Sequence, residues 1–115
     1  MKNGTIALSE VNKLDIRVGT IIEVRSNPEL TAEKFQVFVN FGGDLGILRT
    51  STDNSANDKR EQLIGKQVMA VVNIEPSNTQ NNDSECLILG ASEKESKPPI
   101  LIQPEQSIKN GLKVC

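Results

Sequence analysis

The 115-residue chain contains no histidine, no tryptophan and no tyrosine, and it has only two cysteines and three phenylalanines. Without histidine a Ser-His-Asp triad is excluded, and no lysine stands at a recognisable nucleophile spacing. Cys86 and Cys115 lack metal-type spacing, so a zinc site would need carboxylates for most of its ligands. The glycines form no phosphate-cradling motif. We therefore predict that the protein is not an enzyme and has no metal or cofactor.

Long apolar runs are also missing. No stretch approaches the ~18 residues that a membrane helix needs, and residues 1–8 lack the apolar core of a secretory signal. Two distant cysteines are typical of reduced thiols in a cytoplasmic protein. We therefore expect a cytoplasmic protein without a membrane partner. The net charge of −2 gives no general attraction for nucleic acid, although it does not exclude a local basic face.

Apolar residues alternate with polar ones along much of the chain, which is typical of β-strands. In residues 16–25 the alternation assigns four residues to the apolar face: Ile16, Val18, Ile22 and Val24. It assigns Ile21 to the polar face. Arg17 and Arg25 lie on the polar face too, where cross-strand pairing with carboxylates is expected. Residues 35–41 repeat the pattern more clearly, with Phe38 as an apolar residue on the polar face.

The remaining segments complete the order strand, strand, strand, helix, strand, strand. Further strands are predicted at about 46–51, 68–72, 86–89 and 100–102, a helix at 55–63, a helical turn at 9–13, and surface loops at 75–83 and 92–97. The length fits one domain spanning residues 1–115. This order predicts an all-β fold, the five-stranded OB-fold Greek-key barrel, with one short helix between strands 3 and 4 and short terminal extensions.

Several segments carry a family resemblance. The sequence K-L-D-I-R-V-G spans residues 13–19, and V-V-N-x-x-P at 71–76 is followed by S-E-x-L-x-L-G at 84–90. Together they resemble the tRNA-binding OB-fold domain family, and I-Q-P-E and N-G-L-K-V near the end resemble its small CsaA-type branch. The resemblance covers nearly the whole chain. It implies a homodimer that binds tRNA or similar structured RNA through backbone and shape contacts. It also implies a chaperone-like activity on unfolded client proteins, linked to protein export.

The chain departs from the CsaA-type pattern in the loop before Ser84. Members of that branch usually carry Pro-Pro-Arg and an aromatic there, but this chain has Ser77 and Asn82, flanked by the acidic residues Glu75 and Asp83. Basic side chains attract phosphates, and aromatic side chains stack on bases. The alternative function is therefore a protein-binding, chaperone-like module with weakened RNA binding.

Six residues are candidates for RNA contact: Lys34, Arg49, Ser51, Asn73, Ser84 and Glu85. Arg49 and Ser51 share one face of the third strand, and an arginine can bind phosphate or stack on a base. Structural alternatives exist for several of them. Lys34 can be a solvated loop lysine, Arg49 can pair with a carboxylate, Asn73 can hydrogen-bond the local backbone, and Glu85 can cap a loop. A cluster of Lys34, Arg49 and Lys66 would favour RNA, whereas exposure of Phe38 and Ile21 would favour peptide.

The terminal extensions, at about 1–12 and 98–115, hold apolar residues that a small barrel does not need: Ile6, Leu8, Ile100, Leu101, Ile102 and Val114. Exposed together, these side chains would form a patch of a size that monomers seldom tolerate. We therefore predict that they build the two-fold symmetric interface of a homodimer.

Overall fold

The computed structural model describes residues 4–26, 34–53, 60–75, 77–79, 82–92 and 100–115. Within these ranges the chain forms short helices and strands in the following order: α1 Leu8–Val11, β1 Ile16–Ser26, β2 Lys34–Asn40, β3 Ile47–Asp53, α2 Arg60–Leu63, β4 Gln67–Val71, β5 Ser77–Thr79, β6 Asn82–Ser84, β7 Leu87–Ile88, β8 Gly90–Ala91 and β9 Ile100–Leu101. None of the helices in this part of the chain is long and apolar enough to cross a membrane.

Five strands form one curled antiparallel sheet in the order β3-β2-β1-β4-β7. Two small hairpins, β5 with β6 and β8 with β9, complete the architecture. A strand-rich fold with a helix between β3 and β4 confirms the predicted OB-type fold. The predicted helical turn at 9–13 is α1, which begins one residue earlier, and the predicted strand at 100–102 is β9. The loop predicted at 75–83 is instead largely the β5–β6 hairpin.

Two predicted elements fall partly outside the described residues. Of the helix predicted at 55–63, only α2 lies within them. Of the loop predicted at 92–97, only Ser92 does.

A β-bulge in β1 changes which of its residues face the core. β1 pairs with β2 in register up to Ile21↔Val39, and the register shifts before Glu23↔Phe38. Ile22 is the extra residue of the bulge and has no partner in β2. As a result Ile21 faces the core, where it is 1% exposed, and Ile22 faces outward at 41% exposure. The sequence-based assignment of these two residues was therefore wrong, because simple alternation cannot locate a bulge.

The core lies on the concave side of the sheet. Its buried members come from β1, β2 and the residue after it, α2, β4 and the turn before β7: Ile21, Val24, Phe35, Val37, Val39, Phe41, Leu63, Val68, Ala70 and Cys86. Leu101 of β9 packs against this cluster. The core consists of small aliphatic residues and two phenylalanines, so close approach between strands is needed to fill it.

The C-terminal segment extends the sheet beside β1. Backbone N–H groups of Val18 and Val114 donate to the carbonyls of Leu112 and Ile16 at 3.1 and 2.7 Å, and that of Gly111 donates to Val18 at 2.7 Å. β2 pairs with β1 only from Thr20 onward. Residues 111–114 therefore take the edge of β1 that β2 leaves uncovered, which removes a free strand edge.

Gly19 marks the closest approach between β1 and the core. A Cβ at this position would lie 2.6 Å from Val39 Cγ1 and 2.8 Å from the Phe41 ring. We expect Gly19→Ala to lower the free energy of unfolding by about 1–3 kcal/mol, the usual cost of overpacking a core. Urea denaturation measures the change. Gly4→Ala is the control, because no atom lies within 4 Å of that added methyl group. Equal stability of the two variants would contradict the packing described.

Candidate functional site

The convex side of β1, β2 and β3 presents six side chains that we call the outer face: Glu23, Arg25, Gln36, Phe38, Arg49 and Ser51. The strand register arranges them in two rows across the sheet. One row is Glu23, Phe38 and Arg49, and the other is Arg25, Gln36 and Ser51. Of the predicted RNA contacts, Arg49 and Ser51 therefore share one surface, as expected.

Arg25 is held over Phe38. Its guanidinium Nε forms an ion pair with the Glu23 carboxylate, and its Cζ lies 5.0 Å from the centroid of the Phe38 ring. The Arg25 side chain is 59% exposed and Phe38 is partly buried. The predicted cross-strand partner of Arg25 was wrong, because its carboxylate comes from the same strand, two residues earlier. Arg17 likewise pairs with Asp15, at 2.6 Å.

Glu85 fastens the segment between β6 and β7 to β3. The backbone N–H of Arg49 donates to Glu85 Oε1 at 3.0 Å, and the backbone N–H of Glu85 donates to the Arg49 carbonyl at 2.8 Å. The same carboxylate oxygen lies 3.8 Å from Arg49 Nε. Glu85 thus has the loop-fastening role that the sequence left open, and it places a negative charge beside Arg49.

Ser84 and the β5–β6 hairpin lie against the outer edge of β3. The Thr50 hydroxyl donates to Ser84 Oγ at 3.5 Å, and β6 packs beside β3. β5 pairs with β6, opposing Ser77 to Ser84 and placing Asn82 opposite Thr79. The hairpin that differs from the CsaA-type pattern therefore lies beside β3, the strand that carries Arg49 and Ser51.

Asn73 is engaged by the backbone that precedes β1. Its Oδ1 accepts the Asp15 N–H at 2.9 Å, and its Nδ2 donates to the Lys13 carbonyl at 2.6 Å. These contacts join the end of β4 to the start of β1, across 58 and 60 residues of chain. The alternative in which Asn73 hydrogen-bonds the backbone was therefore correct, but that backbone is distant in sequence and not local.

The three basic residues of the predicted RNA-binding cluster, Lys34, Arg49 and Lys66, do not all lie on one surface. Lys34 begins β2 opposite Asp53, at the edge of the outer face, and its side chain lies outside the described residues. Lys66 follows α2, where its carbonyl accepts the Ile21 N–H at 2.9 Å, and it lines a shallow depression with residues 103–107. Exposure of both Phe38 and Ile21 was expected to favour peptide binding, but Ile21 is buried.

Within the described residues the outer face and its rim carry balanced charge. Arg25 and Arg49 are each paired with a carboxylate, Glu23 and Glu85. A ligand therefore meets two partly neutralised guanidinium groups, and long-range attraction for an anion is small. Recognition on such a surface depends on short-range contacts, namely hydrogen bonds and stacking.

The metal-ligating and thiol side chains of the described part of the chain are not gathered into one site. No group of three metal-ligating side chains comes together there. Cys86 is fully buried, and burial, with a smaller contribution from the Glu85 charge, raises the pKa of its thiol to about 12. The thiol is therefore neutral near pH 7 and is a poor nucleophile.

Comparison with known protein families identifies relatives of this chain. The family model described as “Putative tRNA binding domain” matches residues 16–113. The methionine–tRNA ligase of Pyrococcus furiosus is 31% identical over 110 residues, which are 95% of this chain. These residues are only 14% of the ligase, so the chain spans a small part of the length of that relative.

Solved structures of similar fold cover the chain almost completely. The structure of the chaperone CsaA from Bacillus anthracis superposes with a TM-score of 0.83 at 28% identity, covering 97% of this chain and 100% of that one. The CsaA chaperone protein from Picrophilus torridus gives a TM-score of 0.82 at 32% identity, covering 96% and 100% of the two chains.

The geometry at Asn73 predicts a structural role. We expect Asn73→Ala to lower the free energy of unfolding by about 1–2 kcal/mol, because two hydrogen bonds of ordinary net strength are lost. RNA affinity should stay at the wild-type value. Urea denaturation and filter binding test the two statements, with Asn12→Ala, an exposed asparagine at the end of α1, as the control. Loss of RNA affinity at unchanged stability would contradict the structural role and would indicate that Asn73 contacts RNA.

Proposed function

This chain belongs to the tRNA-binding domain family, and we propose that it binds tRNA or a similar structured RNA without catalysing a reaction. The match of the family model over residues 16–113 is the observation that carries the proposal.

The outer face and its edges are the proposed contact surface. Arg49, Ser51 and Ser84 lie on β3 and on the segment next to it, and Lys34 begins the neighbouring strand. Side chains of these types contact phosphate and ribose oxygens, which is how proteins recognise RNA by shape. Glu85 acts indirectly in this proposal, because its carboxylate and its backbone N–H position β3 and Arg49.

The proposed affinity is modest. Two arginines on the outer face have carboxylate partners, and Ser77 and Asn82 supply neither charge nor an aromatic ring to the adjoining hairpin. Each phosphate contact contributes through released counterions, with a log–log salt slope of about −0.7 per contact for single strands. Two contacts, from Lys34 and Arg49, correspond to a slope of about −1.4.

Titration with total tRNA at two salt concentrations tests this function. We expect a dissociation constant no better than about micromolar at physiological salt, with the shallow slope given above. Arg49→Ala should weaken binding, and Ser77→Arg should strengthen it and steepen the slope by about one contact. Lys66→Ala is the matched control, because Lys66 lies on a different surface. Nanomolar binding by the wild-type chain would contradict the balanced-charge argument. No binding at low salt would contradict the function.

A chaperone-like, protein-binding function is the second candidate. Two of the similar solved structures are CsaA chaperone proteins, and the terminal segments of this chain expose large apolar side chains. Ile6, Leu8 and Ile100 are 71%, 73% and 69% exposed. Suppression of the aggregation of an unfolded client, together with no tRNA binding at low salt, would favour this function.

We also propose that the terminal segments form the interface of a homodimer. α1 and the C-terminal segment leave apolar side chains exposed: Ile6, Leu8, Ile100, Ile102 and Val114. Large apolar side chains that are exposed together often mark an interface. Leu101 differs from the others, because it packs against the core of its own chain. A substitution at Leu101 would therefore affect folding as well as assembly.

Light scattering at micromolar concentration tests the dimer. We expect the wild-type chain to be dimeric and Leu8→Asp to be monomeric, because a buried unpaired charge costs several kcal/mol. Ile64→Asp is the matched control, since Ile64 is exposed after α2, outside the proposed interface. A wild-type monomer, or a Leu8→Asp dimer of unchanged stability, would contradict the assignment.

A further inference from the structure

Phe38 is an apolar side chain on an otherwise polar surface. The odd-numbered residues of β2, from Phe35 to Val39, are buried, whereas Gln36 and Phe38 point outward. Phe38 pairs with Glu23 on one side and Arg49 on the other. An aromatic ring at the centre of three strands is not needed for the core, which lies on the opposite side of the sheet.

Glu23 fixes the orientation of Arg25 over this ring. The carboxylate holds the Nε edge of the guanidinium, and the guanidinium carbon lies 5.0 Å from the ring centroid, within the range of a cation–π contact. The side chain of Arg25 is nevertheless 59% exposed. A guanidinium that is held over an aromatic ring and is still open to solvent is ready to accept a further flat group.

We propose that Glu23, Arg25 and Phe38 form a stacking platform for an unpaired RNA base, a proposal that rests on the RNA-binding function given above. RNA bases stack both on aromatic rings and on guanidinium planes, and such stacking needs no particular base. Gln36 and Ser51, in the row beside Phe38, offer hydrogen-bonding groups at the edge of a base stacked there. Arg49, at the other end of the Phe38 row, lies where the adjoining phosphate would pass.

The platform explains how a surface of balanced charge can hold RNA. Stacking is short-ranged and does not depend on net charge, so the carboxylate partners of the two arginines do not weaken it. It also selects the part of the RNA that is bound. A base inside a duplex has both faces covered, so the platform takes bases from single-stranded loops or ends.

A single introduced tryptophan provides the test, because the chain has none of its own. In Phe38→Trp, base stacking should quench the indole fluorescence when total tRNA is added. In the control, Ile64→Trp, the fluorescence should stay unchanged, because Ile64 is exposed on the turn after α2. A loop-rich RNA hairpin should quench Phe38→Trp, and a blunt duplex of the same length should not.

Two substitutions separate stacking from charge. Arg25→Lys keeps the positive charge but removes the plane, and Phe38→Leu keeps the apolar volume but removes the ring. Each should weaken tRNA binding about five-fold or more while leaving the salt slope unchanged, because stacking on one base is lost and no phosphate contact is. If Phe38→Leu fails to fold, Arg25→Lys and Phe38→Trp still decide the outcome.

The results separate failure of the platform from failure of the RNA-binding function. Wild-type binding of tRNA, with unquenched Phe38→Trp and unchanged affinity in Arg25→Lys, would overturn the platform alone. Absence of any wild-type binding at low salt would overturn both. Quenching of Phe38→Trp by an unfolded client protein, and not by RNA, would show that the outer face docks protein and would overturn the platform as an RNA site.

Discussion

β1 hydrogen-bonds to three separate parts of the chain and is the central strand of the five-stranded sheet. Its second half pairs with β2, its first half pairs with β4, and residues 111–114 cover the edge that β2 leaves. A bulge between Ile21 and Glu23 allows one long strand to curl and serve all three. The same bulge sets the rotation of Glu23 and Arg25, so the strand that organises the core also positions the charged groups of the outer face.

The outer face of this chain carries balanced charge rather than an excess of basic side chains. Each of its two arginines lies near a carboxylate. These carboxylates partly neutralise the arginines, and they also hold parts of the structure in place. Glu85 fastens the segment before β7 to β3 through a pair of hydrogen bonds with the Arg49 backbone. Glu23 holds Arg25 over Phe38. An RNA ligand on this surface would gain little from long-range attraction and more from short-range fit.

Some residues of the family pattern hold segments of the sheet together, and others lie at its surface. Asn73 uses the oxygen and the nitrogen of its side-chain amide to join the end of β4 to the start of β1, and Glu85 joins the segment before β7 to β3. Both contacts connect segments far apart in sequence, so they preserve the geometry of the sheet. Arg49, Ser51 and Ser84 remain at the surface that this geometry creates.

The sequence by itself determined the order along the chain of the five strands of the main sheet, the OB-type fold and the family, because apolar alternation and ordered motifs are local properties of the chain. It also indicated Arg49 and Ser51 as neighbours on one face, which follows from their spacing of two. Tertiary structure alone decided the remaining features. The bulge exchanged Ile21 and Ile22 between core and surface, since one inserted residue reverses the alternation without any change in composition. The partners of Asn73, Glu85 and Phe38 depend on strand register, which is set by pairings between distant segments. Those pairings put Arg25 over an aromatic ring and left Lys66 on another surface.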